Sequence, residues 1–558
     1  MQKQLSCHNF KELLILLLKK TLDSLEIEVN SASLSLEIPK DSKFGDLSSN
    51  VAMQFCHVRK IAPMILARQI ADDLEKKIKL SAISKKIEKI EIAQPGFINF
   101  FVTRGFLSDI LSEIIISKDQ FGRPNKINKS KKILLEFVSA NPTGPLSIAH
   151  ARQAAIGSSL SNIFEFLGYN IKKEYYLNDF GNQMKILGLS IELRFKELKG
   201  EAVTFPENGY QGEYIYDIAR MIIENKLKVS KTEDFMQIGL DYIMGMIKKD
   251  LRDFDIKFDN WYSQKRLEES GKIEKAFKEL RKKGFVYDSD GAVWFKSSAF
   301  GDDKDRVLVK SDRSLTYLSP DIAYHQDKYK RGFNWLINIW GPDHHGYIPR
   351  IVASVCAFGK SKDSISILIA QLVTLKHKGE IVSMSTRQAK YVTLRQLLDE
   401  VGKDVSHFFL ISRRVSSHLD FDLELAKKQS SENPVYYIQY AHARIASILK
   451  KSQDLRIDKR FIKQIDFSLL KSEEEILLIK NLFHFPYILD FCTKILDPYP
   501  VTGYLLNLAT SFHRFYDQHK VLTDDTGLTK ARLALILATK TVLNTGLKLI
   551  NISAPEEM

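Results

Sequence analysis

Ile133-Leu-Leu-Glu136-Phe137-Val-Ser139-Ala-Asn141-Pro-Thr143-Gly144-Pro-Leu-Ser147-Ile-Ala149-His150-Ala-Arg152 is the stretch that decides the fold. Its first six residues form an almost wholly apolar run, the composition of a parallel strand buried on both faces. Asn141-Pro-Thr-Gly-Pro breaks the run. Ile156, Leu160, Ile163, Phe164 and Leu167 then recur at helical spacing, and Gly168 is placed to cap that helix. Asn170–Leu177 reads as a second strand. Strand, turn, helix and strand in this order make the βαβ unit of a doubly wound nucleotide-binding fold. Glu136 stands out inside the apolar run, because a carboxylate buried there without a partner is costly.

On the N-terminal side, helical spacing covers 104–116, and Gly122-Arg-Pro-Asn125 is a loop. The first hundred residues read as an α+β unit. Helices are expected over about 9–28 and 62–79, and strands over 87–92 and Phe97–Val102, split by the turn Gln94-Pro95-Gly96. On the other side, residues from about 185 to 300 read as a mostly helical, polar insertion. Strand-like runs return at Trp335–Trp340 and 365–375, and from about 431 the pattern is helical to the end. A basic stretch holds Lys450, Lys451, Arg456, Lys459, Arg460 and Lys463.

The chain has 558 residues, 44% hydrophobic and 27% charged, which excludes a wholly disordered protein. Domains average about 150 residues, so three or four are expected. Lys+Arg at 82 against Asp+Glu at 68 gives +14, an excess suited to a polyanionic partner, nucleic acid or an anionic membrane. Cys7, Cys56, Cys356 and Cys492 are scattered, so neither a disulfide framework nor a thiolate zinc site is signalled. The apolar run 13–18 is far short of the ~20 residues that span a bilayer. It lacks a small-residue cleavage site, meets Lys19-Lys20, and reads as a buried stretch of helix. The expected location is cytoplasmic.

A sharp turn between a parallel strand and a helix sets free N–H groups and the positive helix end at the sheet's carboxyl edge, where they favour phosphate. His150 stands there, able to hydrogen-bond a phosphate oxygen whose charge changes during reaction. A second polar loop, Val382-Ser383-Met384-Ser385-Thr386-Arg387, follows a strand-like run, with Lys378 and Lys390 close by.

These residues resemble the signature of class I aminoacyl-tRNA synthetases, and their flanks resemble the arginyl-tRNA synthetase family over nearly the whole chain. The family's turn ends His-x-Gly-His, and here it reads Ser147-Ile-Ala149-His150. Phe44-Gly-Asp-Leu-Ser-Ser-Asn50 and Pro95-Gly-Phe-Ile-Asn-Phe100 are similar to the family's extra N-terminal domain. Glu174-Tyr-Tyr-Leu-Asn178-Asp-Phe-Gly-Asn-Gln183, Thr316-Tyr317-Leu-Ser-Pro-Asp321 and Trp340-Gly341-Pro-Asp343-His344-His-Gly-Tyr347 follow in family order. Glu432-Asn-Pro-Val-Tyr436-Tyr-Ile-Gln-Tyr440-Ala-His-Ala-Arg444 opens the helical anticodon-binding domain, and Ala554-Pro-Glu-Glu-Met558 ends the chain as in the family. The family's second loop is Lys-Met-Ser-Lys; here Ser383 and Thr386 replace both lysines, leaving Arg387, Lys378 or Lys390 to meet the leaving pyrophosphate.

The resemblance implies an α/β fold: a Rossmann-like catalytic domain over 105–430 with a helical insertion, an N-terminal tRNA-binding α+β domain over 1–104, and an all-α anticodon-binding domain over 431–558. The implied reaction ligates L-arginine to arginine tRNA through an arginyl-adenylate, using ATP. Free arginine carries a planar guanidinium with five N–H donors, so its pocket needs carboxylates that accept in a fork. The resemblance places Glu136, Tyr317, Asp321 and His344 around that side chain and Asn141 near the α-amino group. It assigns catalysis to His150, Arg387 and Ser147. It assigns ATP contacts to Gly144, Ala149, His150, Gly341, Asp343, Met384, Ser385, Thr386 and Arg387. Candidates for tRNA contact are Tyr436, Tyr440, Arg444, Arg514 and Tyr516. Mg²⁺ is expected to arrive on ATP without a dedicated protein site, zinc is not expected, and the expected state is a monomer free of membrane. The competing reading is a non-catalytic tRNA-binding protein on a synthetase scaffold, since both signature loops are altered.

Overall fold

The computed structural model describes residues 6–30, 33–124, 131–377, 380–381, 391–452 and 462–558. Ser6 caps α1 (Cys7–Ser24), its Oγ accepting from the Asn9 N–H at 3.2 Å. That helix carries the apolar run inward, with Leu14, Leu17 and Leu18 buried. β1 (Leu47–Ser49), α2 (Val51–Arg59), α3 (Pro63–Lys79), β2 (Ile87–Ala93) and β3 (Phe97–Val102) follow. The three strands pair antiparallel in the order β1-β3-β2, the expected α+β unit. Thr103 caps α4 (Arg104–Ser117), whose Phe106 ring lies 4.6 Å from Phe10 of α1 and 5.8 Å from Phe483 near the chain's far end.

The nucleotide-fold unit then appears as expected: β4 (Lys132–Glu136), α5 (Ile148–Phe166) and β5 (Asn170–Leu177). Gly157 of α5 is required by packing, because a Cβ there would lie 2.3 Å from the Phe137 ring. The insertion holds α6 (Asn182–Leu198), α7 (Glu213–Glu224) and α8 (Thr232–Asp253), and the chain returns to the sheet as β6 (Asn260–Ser263). After α9 (Gln264–Glu269) and α10 (Lys272–Lys282), the structure departs from the helical expectation. β7 (Val286–Ser289), β8 (Ala292–Phe295) and β9 (Arg306–Val309) form an antiparallel meander. Its hairpin turns at Asp290-Gly291, both at positive φ (52° and 74°), as a two-residue hairpin demands.

α11 (Leu318–Lys330), β10 (Trp335–Trp340), α12 (Ile348–Ala357) and β11 (Ile365–Ile369) complete a five-stranded sheet, ordered β11-β10-β4-β5-β6 and parallel throughout. β4 starts the chain's path through this sheet, and β10 pairs on its other edge. The crevice between their carboxyl ends is therefore the topological switch point, where doubly wound sheets bind ligands. The run 365–375, expected as one strand, is two. Ala370 N–H turns to the Trp340 carbonyl (2.8 Å), and the chain enters a second sheet as β12 (Val373–His377) beside β13 (Glu380–Ile381) and, later, β14 (Leu419–Asp422).

α13 (Leu394–Leu410) precedes β14, and α14 (Leu423–Lys427) follows it. Helices α15 (Pro434–Lys451), α16 (Glu473–Ile495), α17 (Tyr499–Gln518) and α18 (Thr526–Leu549) finish the chain. Among the described residues, α16 alone is long and apolar enough to cross a membrane, and it packs on α17, α18, α4 and α5. Of the basic stretch, Lys450 pairs with Glu557 at 3.0 Å, while 453–461 lie outside the described residues.

Candidate active site

The signature turn leaves β4 through two residues at positive φ, Val138 (67°) and Ser139 (38°). Positive φ at a β-branched residue is strained and persists only where surrounding contacts enforce it. Those contacts are visible. The Tyr214 hydroxyl of α7 donates to the Thr143 carbonyl (2.6 Å), and the Tyr391 hydroxyl donates to the Pro145 carbonyl (2.9 Å). Gly144 lies between them, and a Cβ there would sit 3.0 Å from one hydroxyl and 3.4 Å from the other. Ile148 N–H bonds Val392 O (3.0 Å) and Leu394 N–H bonds Leu146 O (2.7 Å). The turn is thus tied to the segment that directly follows the second signature loop.

Ser147 caps α5 and shares a capping box with His150. The Ser147 backbone N–H donates to His150 Nδ1 (3.2 Å), with Ser147 Oγ 3.0 Å from the same nitrogen. A backbone amide can only donate, so Nδ1 is the acceptor and Nε2 carries the ring proton. Burial lowers the imidazole pKa to about 4, against a smaller opposing influence from Asp343. His150 is therefore a neutral donor at the mouth of the switch point. The Ser147 hydroxyl accepts from the His150 backbone N–H in the cap (3.5 Å) and lies against the ring, so it helps to hold the histidine at the start of α5.

Behind the turn lie three acidic groups with different fates. Glu174 is fully satisfied: Arg331 holds it in a fork (2.5 and 2.8 Å), Tyr324 OH donates at 2.7 Å and Asn260 at 2.6 Å. Burial would raise its pKa, but these donors hold it below the usual carboxylate value. Glu136 is 5% exposed and has the partner that its position requires, Lys328 Nζ at 2.5 Å, with Ser139 OH donating at 3.0 Å. Lys328 also donates to Asn338 Oδ1 (3.1 Å), Asn338 Nδ2 faces His325 Nε2 (2.9 Å), and His325 Nδ1 faces the Asp321 carbonyl (2.8 Å). Asp321 differs from both. No lysine or arginine among the described residues forms an ion pair with its carboxylate, and burial, aided by Glu136, raises its pKa to about 7 despite the Tyr347 hydroxyl beside it. Lys328, already paired with Glu136, offsets this only in part, and a half-buried carboxylate without an ion-pair partner is prepared for a cation.

The other expected residues are spread more widely. Asn141 is exposed and is held by Asn178 Nδ2 at 3.0 Å. Tyr317 is 77% exposed at the start of α11, and His344 is exposed beside Asp343 (3.3 Å). Neither lines an enclosed pocket: each sits on an exposed turn that leads into a helix. Gly341 is folded under Asp343, whose Oδ1 would be 2.5 Å from an added Cβ. Ala149 lies in the first turn of α5, within the half-buried mouth. Met384, Ser385, Thr386 and Arg387, with Lys378 and Lys390, lie outside the described residues. Lys328, Tyr214 and Tyr391 were not anticipated. The missed signal for Lys328 was the rule already applied to Glu136, that a buried carboxylate needs a cation.

On the helical end, four of the five expected tRNA residues come together. Tyr436 and Tyr440 of α15 stack (6.2 Å, 11°), Arg444 lies over the rings of Tyr440 (4.6 Å) and Tyr516 (4.7 Å), and its Nη2 donates to Tyr440 OH (2.6 Å). The buried His513 ring extends the stack, 5.9 Å from Tyr440. Arg514 points elsewhere, to Glu474 at 3.1 Å. Among the described residues, no group of three or more His, Cys, Asp or Glu could hold a metal ion.

Comparison with known proteins places this geometry. A family model for the catalytic domain of class I tRNA synthetases of the arginine type matches residues 110–410. Models for the arginyl-tRNA synthetase N-terminal domain and the DALR anticodon-binding domain match 12–102 and 438–558. An arginine–tRNA ligase from Desulfosudis oleivorans is 45% identical over 94% of this chain and 95% of its own. One from Bacillus subtilis is 44% identical over 94% of each chain. The solved arginyl-tRNA synthetase of Thermus thermophilus shares the fold, with a TM-score of 0.76 at 19% identity, covering 98% of this chain and all of that one. The chain belongs to the arginyl-tRNA synthetase family.

Proposed function

We infer that the protein charges arginine tRNA with L-arginine at the expense of ATP. The observation that carries this reading is the Asp321 carboxylate, without an ion-pair partner among the described residues and within the field of buried Glu136, which ends β4 just ahead of the phosphate-type turn at the switch point. The arginine carboxylate attacks the α-phosphate of ATP, giving arginyl-adenylate and pyrophosphate, and a terminal tRNA ribose hydroxyl then takes the arginyl group. No covalent enzyme intermediate is required. His150 Nε2–H donates to the phosphate as its charge develops, alongside the backbone N–H groups at the start of α5. Arg387, Lys378 or Lys390 supplies charge to the leaving pyrophosphate. Asp321 and Glu136 hold the guanidinium, Asn141 the α-amino group, and Gly144, Ala149, Gly341 and Asp343 border the nucleotide. Mg²⁺ carried by ATP would neutralise charge on its phosphates. The protein works as a cytoplasmic monomer, divided near 104 and 430, and the matched ranges 12–102, 110–410 and 438–558 support that division. Pyrophosphate exchange with a panel of amino acids, with and without tRNA, tests the reaction: exchange with arginine alone is expected, and exchange with another amino acid contradicts it.

Tyr391 and Tyr214 act by holding the strained turn. Tyr391→Phe is expected to raise the ATP KM severalfold, because the loss of one buried hydrogen bond costs about 1 kcal/mol. Arginine and tRNA affinities should stay unchanged, and a steady-state KM split reads this directly.

The Tyr436, Tyr440, Arg444 and Tyr516 group is an edge on which unpaired bases stack and a phosphate meets a guanidinium. Arg444→Ala and Tyr440→Ala are each expected to weaken tRNA binding by about 1–3 kcal/mol, leaving arginine-dependent steps untouched. Filter binding checks this. Point variants are preferable to deleting 431–558, since α16 and α18 pack on α4 and α5 and removal would expose the core.

A further inference from the structure

We propose that Tyr176 and Tyr347 are additional specificity-determining residues of the arginine site, their hydroxyls accepting the guanidinium N–H groups that the carboxylates leave unpaired. This rests on the reading of Asp321 and Glu136 as the guanidinium carboxylates, and goes beyond it in residues and in stereochemistry.

The starting observation is a pair of under-used hydroxyls. Both phenolic oxygens are buried; Tyr176 OH has no hydrogen-bond partner among the described residues, and Tyr347 OH has none besides the Asp321 carboxyl. A buried polar group without a partner costs folding free energy, so one left unpaired calls for an explanation. The other tyrosines of this region show the contrast. Tyr175 OH donates to the Ala140 carbonyl (2.8 Å), Tyr324 OH to Glu174 (2.7 Å) and Tyr262 OH to Asp327 (3.0 Å).

The two hydroxyls share one place. Tyr347 OH hydrogen-bonds the Asp321 carboxyl, and Arg350 lies over its ring at 5.2 Å. Burial, and after it the charges of Asp321, Glu136 and Glu268, raise the pKa of the Tyr176 phenol, so its hydroxyl lies within the field of these carboxylates. Both rings are fixed. Tyr176 lies 4.5 Å from Tyr324 and stacks on Tyr262 at 6.2 Å, and its backbone N–H donates to Ser139 Oγ (3.1 Å), the same hydroxyl that bonds Glu136. Tyr347 precedes α12 and packs 6.4 Å from Trp340.

A guanidinium explains the arrangement. It presents five N–H donors in one plane and accepts nothing. Asp321 can take two in a fork, and Glu136 has part of its capacity occupied by Lys328 and Ser139. A tyrosine hydroxyl turned toward a carboxylate donates its own proton there and offers its lone pairs outward. Two such hydroxyls supply acceptors for the remaining N–H groups without adding charge. A site so built satisfies a planar five-donor head and leaves acceptors unpaired against an ammonium.

The test is thermal unfolding and calorimetric titration of the full chain with L-arginine, for the parent, Tyr176→Phe, Tyr347→Phe and the double variant. Each hydroxyl removed should weaken arginine binding about tenfold, with ATP binding unchanged. Because Tyr176→Phe deletes a hydroxyl without a partner, its melting temperature without arginine should hold or rise, the reverse of what a structural tyrosine would give. Parent-like arginine affinity in both single variants overturns the proposal, as does a fall in melting temperature that accounts for the lost affinity. If the parent itself binds no arginine, the reading of Asp321 and Glu136 fails first, and that outcome is separate from parent binding that the phenylalanines leave intact.

Discussion

The His150→Ala protein is expected to form arginyl-adenylate about 10²–10³-fold more slowly than the parent, since the loss of one donor to a developing oxyanion has that effect. Its tRNA affinity should not move, because the aromatic edge on α15 and α17 belongs to a different part of the chain. The magnitude follows from the tautomer. Ser147 N–H occupies Nδ1, so the only ring proton points outward from Nε2, and its removal leaves no substitute in the capping box. With burial holding the imidazole pKa to about 4, the donor stays neutral across the physiological range. The rate should therefore show no titration of this ring near neutrality. Ser147→Ala should cost less, since the backbone amide that fixes the tautomer survives. Arg387→Ala should match the His150 loss, whereas Lys378→Ala and Lys390→Ala should lose less. Single-turnover measurements rank these variants, and a His150→Ala rate equal to the parent's would reduce the histidine to a helix-start residue.

Asp321→Asn should weaken arginine use by about 2–4 kcal/mol, the scale of truncating one partner of a buried charge pair. The pKa gives this variant a second signature. The carboxyl is raised to about 7 by burial, so below that pH it is largely protonated and must release its proton to take the guanidinium. Arginine affinity of the parent should therefore rise with pH through about 7 and then level off, with proton release on binding. The sign for folding is opposite. A raised carboxyl contributes stability that is present at low pH and lost as pH rises through its folded value, so Asp321→Asn should be relatively more stable above neutrality. An unchanged arginine KM and kcat in the variant would remove Asp321 from the pocket.

How much of this was legible in the sequence depends on the range of the signal. The βαβ unit was readable because an apolar run, a Pro/Gly turn and a 3.6-residue period each act locally, and β5 begins and ends where its pattern does. The meander over β7–β9 was missed, although Asp290-Gly291 is a strong hairpin pair; the surrounding charge outweighed it. The break between β11 and β12 could not be read, since it depends on Ala370 bonding Trp340, a contact made only when β10 is in place. Glu136 was found because a carboxylate inside an apolar strand needs a partner, and Asp321 by its motif. The partner of Glu136 was not, because Lys328 reaches it from α11, 192 residues along the chain. His344 and Tyr317 illustrate the converse: residues carried over by motif need not be enclosed by the fold.

The most direct test of the central claim is single-turnover aminoacylation of arginine tRNA by the unmodified protein with ATP and each amino acid in turn. The account predicts arginyl-tRNA, with AMP and pyrophosphate in equal amounts, and no charging by lysine, ornithine or citrulline. Tight tRNA binding without arginyl-tRNA under any condition would contradict it and establish a non-catalytic RNA-binding protein on this scaffold.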